Sequence, residues 1–285
     1  MDINQAKTFL AITATGSFAE AAKQLCLTQS TISARIKRLE EELGVYLFFR
    51  NRSGAILTPA GNQFVPYAKR LALTADQARD MIGLHDRYHA IVRIGARIAL
   101  WEGILPMWVG WLRQKTDKIV IHSVIGFEED LMQHLIEGTL DIGLMYTPRH
   151  SPGVIVEHVF DEKLVFVTTH EGEEKPGDDY VYVQWGHEFH TQHAQTFPDL
   201  EQPGQIVNIG WLAIQLVLNN GGSCYLPSRL AEPYIQSGKL YAPPSTPEYL
   251  QPAYLVYSRE SESPVLEQCL TGLRHQLQHY TGKTS

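Results

Sequence analysis

The chain has 285 residues, 44% of them hydrophobic and 19% charged, the composition of a globular protein with room for two or three domains. The formal net charge of −7 excludes a uniformly basic nucleic-acid coat, yet the charge is divided: residues 1–90 hold 11 Lys and Arg against 8 Asp and Glu, and the rest hold 13 against 23. Three scattered cysteines, Cys26, Cys224 and Cys269, exclude a disulfide framework and suit a reducing compartment.

From the start, Ile3–Thr15 reads as a helix with Phe9, Leu10 and Thr13 facing inward. Ser17–Leu25 follows as a short helix, with Ser17 at the N-cap and Phe18, Ala21, Ala22 and Leu25 spaced three to four apart. Thr28 caps the next helix, where Ile32, Ile36, Leu39 and Leu43 form one stripe at 100° per residue. Ser30, Ala34, Lys37 and Arg38 point the opposite way, with Thr31 and Ser33 on the flanks. Apolar anchors inside and hydroxyl and cationic groups outside, behind a short crossing helix, make a helix-turn-helix. Tyr46–Phe49 and Ala55–Thr58 read as two strands around Arg50-Asn51-Arg52-Ser53-Gly54, which is a wing. Its arginines, Arg50 and Arg52, are placed to meet phosphate or a narrow minor groove.

Thr58-Pro59 starts a long helix. In it Phe64, Ala68, Leu71, Ala75, Ala78, Ile82 and His85 step by four and three, a heptad that favours a twin chain as its partner. A dimer is what a helix-turn-helix protein needs to read two half-sites.

Phe9, Gly16-Ser17-Phe18, Ala21-Ala22, Leu25, Thr28-Gln29-Ser30, Ser33, Ile36, Leu39-Glu40, Leu43-Gly44, Leu47-Phe48, Arg50, Leu57-Thr58 and Ala60-Gly61 match the N-terminal signature of LysR-type transcriptional regulators. The resemblance implies a winged helix-turn-helix over residues 1–58, a dimerising linker helix over 59–89, and an effector-binding domain over 90–285. That domain would hold two α/β subdomains similar to type 2 periplasmic-binding proteins, and the family often assembles as a homotetramer. It also implies Gln29, Ser30, Thr31, Ser33 and Lys37 as the major-groove set on double-stranded DNA, with Arg52 as the wing contact. Ala34 departs from the long polar residue common there. Its methyl can touch a thymine methyl but cannot make Arg's bidentate contact to guanine, which shifts specificity toward Gln29, Arg35 or DNA shape.

From Ile91 on, β-branched runs (91–96, 119–125, 142–146, 164–168, 180–184, 206–209 and 253–257) recur between helical candidates (101–114, 128–137, 211–219, 228–236 and 264–279). This alternation argues for parallel α/β sheets. Two subdomains are expected, about 90–161 with 263–285 and about 162–262. The chain would cross between them near Asp161–Lys163 and return near Ser258–Ser263.

A small-molecule effector would sit beyond the strand ends, against helix N-termini. The candidate contacts are Ala99, Leu100, Trp101, Glu102, Phe127, Tyr146, Trp185, His187 and Trp211, with Ser223-Cys224 on the same rim. Glu102 would repel an anion, so a cationic, zwitterionic or partly aromatic effector is favoured, with Trp101 and Trp185 as stacking surfaces. Leu100–Gly103 with Gln184–Phe189 also resembles a subgroup that includes a repressor of the flagellar master operon.

No enzyme is expected. His187, His190 and His193 flank Glu188, but Thr191 stands where H-E-x-x-H needs its second histidine. Gly221–Tyr225 misses the nucleophile elbow, because Tyr225 replaces its last glycine. Cys224 is a candidate redox sensor, though a small buried thiol is the simpler expectation. No cofactor or metal is expected. The opening MDINQAKTFL lacks a secretory pattern, and Ile104–Leu112 is about half a bilayer span, so a cytoplasmic location without membrane contact is expected. An effector-independent DNA-binding regulator, a solute-binding protein or an α/β enzyme are the alternatives.

Overall fold

Each early helix begins where a side chain receives its orphan amides. Asp2 caps α1 (Ile3–Thr15) in a reciprocal box with Gln5, and Gly16 closes it in the left-handed region at φ 65°. Ser17 caps α2 (Phe18–Gln24), and Thr28 accepts from the Thr31 amide to start α3 (Gln29–Leu43). A computed structural model describes residues 1–51, 54–259 and 263–281, without the side chains of 50, 51 and 279–281. The chain divides into two compact units, Met1–His89 with Glu137–Thr139, and Ala90–Ile136 with Leu140–Ser285.

In the first unit β1 (Phe48–Asn51) and β2 (Gly54–Leu57) pair antiparallel, Phe48 opposite Leu57 and Asn51 opposite Gly54. The helix α4 (Pro59–Ile82) then packs along α1, capped by Thr58. Phe9 is fully buried at the centre, with ring centroids 5.2 Å from Phe48 and 5.0 Å from Phe64. Ala6 and Ile12 are as deeply buried, whereas Leu10 and Thr13, expected inside, are only half-buried. On α3, Ile32, Ile36 and Leu39 are fully buried, but Leu43 is exposed because the helix stops there at the left-handed Gly44. The heptad on α4 serves its own unit at the buried Phe64 and Ala68 and the half-buried Leu71, whereas Ile82 is 87% exposed. His85 lies past the end of the helix.

The second unit is built on one mixed eight-stranded sheet, ordered β4-β3-β5-β10-β6-β9-β7-β8. Its strands are β3 (Ala90–Ala96), β4 (Ile119–Ile125), β5 (Ile142–Met145), β6 (Val154–Thr168), β7 (Tyr180–Val183), β8 (Gln205–Val207), β9 (Ser223–Pro227) and β10 (Tyr249–Ser258). β3, β4 and β5 run parallel, as do β7, β8 and β9. The long strands β6 and β10 pair antiparallel with each other and join the two sets, β10 through β5 and β6 through β9. The expected α/β class is therefore observed, but as a mixed sheet and not as separate parallel ones.

The helices of this unit are α5 (Ile98–Trp101), α6 (Leu105–Lys115), α7 (Glu128–Glu137), α8 (His187–Thr196), α9 (Gly210–Asn220), α10 (Ser228–Gln236) and α11 (Pro264–Thr281). The single helix expected over 101–114 is broken at Gly103, whose φ of 86° no helix accommodates. Helix α11 packs on α6, where the fully buried Trp108 donates its indole N–H to the Cys269 carbonyl and a Cβ at Gly272 would strike the Trp111 ring. Ser223 and Cys224, expected on a rim loop, lie in the core strand β9 with no exposure.

Candidate functional site

The outward face of α3 carries Gln29, Ser30, Ala34, Lys37 and Arg38, all exposed, with Thr31 and Ser33 half-buried at its edges. The cap organises its first turn: Thr28 Oγ1 lies 2.9 Å from Ser30 Oγ and 2.8 Å from Thr31 Oγ1. Lys37 and Arg38 pair with Glu41 and Glu42, one turn on, at 3.6 and 3.3 Å. Exposed pairs of this kind are screened by water and weak, so both cations stay available to a phosphate. Arg35 is turned inward instead, its guanidinium 3.3 Å from the buried Thr8 hydroxyl on α1.

The wing is anchored on both strands. Glu40, buried on the inner side of α3, accepts the Leu47 amide at 2.8 Å and the Phe48 amide at 3.3 Å. On the other strand the Ala55 amide donates to the Gly16 carbonyl at 2.7 Å. A Cβ on Gly54 would stand 2.5 Å from that carbonyl, so only glycine lets the strand approach. Arg52 and the Arg50 side chain lie outside the described residues.

In the second unit two arginines join the subdomains. Arg97, at the end of β3, donates to the Asn208 carbonyl at 2.8 Å, lies 3.6 Å from Glu128 and covers the Phe127 ring at 4.5 Å. Arg229, on α10, holds Glu162 of β6 through contacts of 2.8, 3.0 and 3.2 Å, and reaches across to the carbonyls of Ala99 and Glu102. Arg229 and Glu162 side chains are 9% and 3% exposed, and Tyr146 donates its hydroxyl to Glu162 at 3.1 Å. Burial pushes the Tyr146 phenol well above its ordinary value, so it remains a donor.

Of the expected effector contacts, Ala99, Leu100, Tyr146 and Trp185 are buried, and Trp185 gives its N–H to the Tyr225 carbonyl. Trp101 gives its own to Val124. Phe127, His187 and Trp211 are exposed. Glu102 and Trp211 meet at a cavity of about 330 Å³ that Arg229 and Tyr234 also line. Burial raises the Glu102 carboxyl above its ordinary value, with Arg229 opposing the shift.

Of the other groups weighed for chemistry, His190, His193 and Cys224 are committed to structure. His193, buried in α8, stacks on Tyr180 and shares a 3.0 Å hydrogen bond with its hydroxyl, and burial lowers it to about 4. His190 bonds Tyr182 at 3.0 Å. Among the described residues no three His, Cys, Asp or Glu side chains gather as a metal site, and no helix is long and apolar enough to cross a membrane. Burial pushes the Cys224 thiol far up, which removes the thiolate a redox sensor needs.

Residues 3–62 match the family of bacterial regulatory helix-turn-helix proteins of the lysR type, and residues 85–278 match the LysR substrate binding domain. The chain belongs to the LysR family. It is similar to the HTH-type transcriptional regulator HdfR of Yersinia pestis, strain Pestoides F, at 30% identity over 278 residues, covering 93% of this chain and 94% of HdfR. The same fold occurs in ArgP from Mycobacterium tuberculosis, at 18% identity, 97% coverage of both chains and a TM-score of 0.64. It also occurs in LysG from Corynebacterium glutamicum, whose structure holds the effector Arg, at 18% identity, 98% and 99% coverage and a TM-score of 0.60.

This LysR-type protein is a DNA-binding transcriptional regulator with an effector-binding domain, and not an enzyme. Two groups that shape its sites carried no local signal in the sequence: Glu162 lay where a crossing between subdomains was expected, and Arg229 opened an ordinary amphipathic helix. Glu40 stood in the family signature, but its place under the wing was not legible there.

Proposed function

We propose that α3 lies in the major groove, with Gln29, Ser30, Thr31, Ser33 and Ala34 toward base edges and Lys37, Arg38 and the wing arginines toward phosphates. The observation that supports this most is the polarity of α3. Its buried Ile32–Ile36–Leu39 stripe fixes which face is outward, and that face is hydroxyl-rich and cationic. Residues 1–58 form the DNA-binding head, 59–89 the linker, and 90–285 the effector domain. Subdomain I comprises about 90–161 and 263–285, and subdomain II about 162–262.

The linker joins two copies into a homodimer, and two such dimers form a tetramer. The exposure of Ile82, and of Tyr67 at 63%, together with the apolar groove that Ile3, Tyr67, Leu71 and Ala75 line along α1 and α4, supports a partner helix there. A small-molecule effector binds between the subdomains and acts by favouring one of two arrangements of them. The protein works in the cytoplasm, where its operators are.

The test is a pair of substitutions on α3, with binding measured on an operator selected from random DNA and on non-cognate duplex over a range of salt. Lys37→Ala weakens both alike and reduces the salt slope by about one, whereas Gln29→Ala costs about 1–3 kcal/mol on the operator alone. Identical behaviour of the two variants refutes the assignment of base-reading and phosphate-binding roles.

A further inference from the structure

We infer that the cavity bounded by Glu102, Trp211, Arg229 and Tyr234 is the effector subsite for a small organic amine carrying an aromatic or branched aliphatic body. This rests on the effector reading above and adds the chemical class of the ligand and the residues that select it.

The charges decide the sign. Four of the five Arg229 N–H groups are engaged here: Nε and Nη2 on the Glu162 carboxylate, Nη2 also on the Ala99 carbonyl, and Nη1 on the Glu102 carbonyl. Its positive charge is therefore balanced by Glu162 before any ligand arrives. Ionised Glu102 adds a second carboxylate to the same cluster and leaves it one negative charge in excess. An anionic ligand meets that excess without a free guanidinium to receive it, whereas an ammonium neutralises it.

Hydrogen bonding points the same way. Glu102 Oε2 is shut off from solvent and has no hydrogen-bond partner. An acceptor left unmade costs free energy; a turn of the Glu102 side chain into the cavity lets a ligand N–H recover it, and a charged donor recovers more. The remaining walls are apolar: Ile214 and Leu226 are buried, Leu230 and Tyr234 half-buried, and Trp211 stands 48% exposed at the mouth, where an indole face suits both a ring and a cation. A volume of about 330 Å³ is at the small end for ligand sites, which sets the size at an amine with one ring or a short branched chain.

The site also spans the two subdomains. Glu102 and Gly103 come from the α5–α6 turn, while Gly210, Trp211, Leu230 and Tyr234 come from α9 and α10. A ligand held on both sides biases their relative placement, which is what an effector must do. Gly103 lies directly against the bridge, since a Cβ there would sit 3.8 Å from Arg229 Nη1.

The test is calorimetry on the full-length protein with phenethylamine, tryptamine and isoamylamine, against 2-phenylethanol and 3-phenylpropionate as neutral and acidic counterparts. At least one amine binds with a Kd below about 1 mM and roughly tenfold more tightly than either counterpart. Glu102→Gln, shown to be folded by circular dichroism, weakens that amine roughly tenfold or more, and Trp211→Ala does the same. The proposal is overturned if no amine binds, if the acid binds as well as the amine, or if Glu102→Gln leaves amine affinity unchanged. Selection of operator DNA by the same preparation separates the two levels. A protein that binds operator and ignores every amine refutes the amine subsite and leaves the regulator standing.

Discussion

Removing the carboxylate of Glu162 should expose how much the effector domain depends on its buried charge cluster. The Arg229 guanidinium, 9% exposed, makes three contacts of 2.8–3.2 Å to a Glu162 that is 3% exposed. In Glu162→Ala that cation loses its carboxylate while the carbonyls of Ala99 and Glu102 remain, and the buried Tyr146 hydroxyl loses its acceptor. Stranding one partner of a buried ion pair costs about 3–5 kcal/mol. The nearby Glu102 carboxylate offsets part of this, which places the loss near 3 kcal/mol. With a urea slope of about 2–3 kcal/mol/M, the midpoint of the effector-domain transition falls by about 1–1.5 M at unchanged slope. Glu162→Met with Arg229→Met removes both charges and should recover most of the loss, because the pair itself contributes little beyond a well-packed apolar replacement. A single variant within about 0.5 kcal/mol of the parent, or a double variant no more stable than the single, refutes the reasoning.

Two further outcomes are expected. His193 is held neutral with its pKa lowered from 6.5 to about 4, so between those values the unfolded chain binds a proton that the native one refuses. Stability is full above pH 6.5 and is lost as the pH falls toward 4, by about 2 kcal/mol at pH 5, and His193→Gln should abolish that part of the slope in urea titrations at pH 7 and pH 5. Glu40→Ala leaves the amides of Leu47 and Phe48 without their acceptor, at a cost of about 2–4 kcal/mol, while Glu40→Gln keeps an acceptor oxygen and loses far less. Thermal melts of the two variants check this, and equal melting temperatures would show that the wing does not depend on that carboxylate.

The DNA-binding head was legible because its signals are local. Caps at Ser17, Thr28 and Thr58 and the stripe Ile32–Ile36–Leu39 lie within one or two turns of what they organise. The stripe's last member, Leu43, was misplaced because periodicity does not know where a helix ends. In the effector domain the strand β6 was read only over its apolar end, 164–168. Its first ten residues, 154–163, mix apolar and charged groups without regular alternation: Glu157, Asp161 and Lys163 enter ion pairs, Phe160 faces the core, and the charged Glu162 is buried beside it. The cluster Tyr146–Glu162–Arg229 draws on three elements brought together only by the sheet, and Glu162 and Arg229 are 67 positions apart, so no window along the chain contains it. For the same reason Glu102 and Trp211 were named separately and not as neighbours.

Glu40 of α3 holds one strand of the wing and the Gly16 carbonyl, at the end of α1, holds the other, so both strands are tied to the helices behind them. On the DNA-binding mode proposed above, such a head measures its target like a two-pronged gauge of set pitch. An operator that drifts in its letters loses contacts one at a time and stays partly readable. One that gains or loses a base pair between the grooves the two prongs enter loses one prong entirely, so the distance within a half-site should be the feature its operators share most strictly.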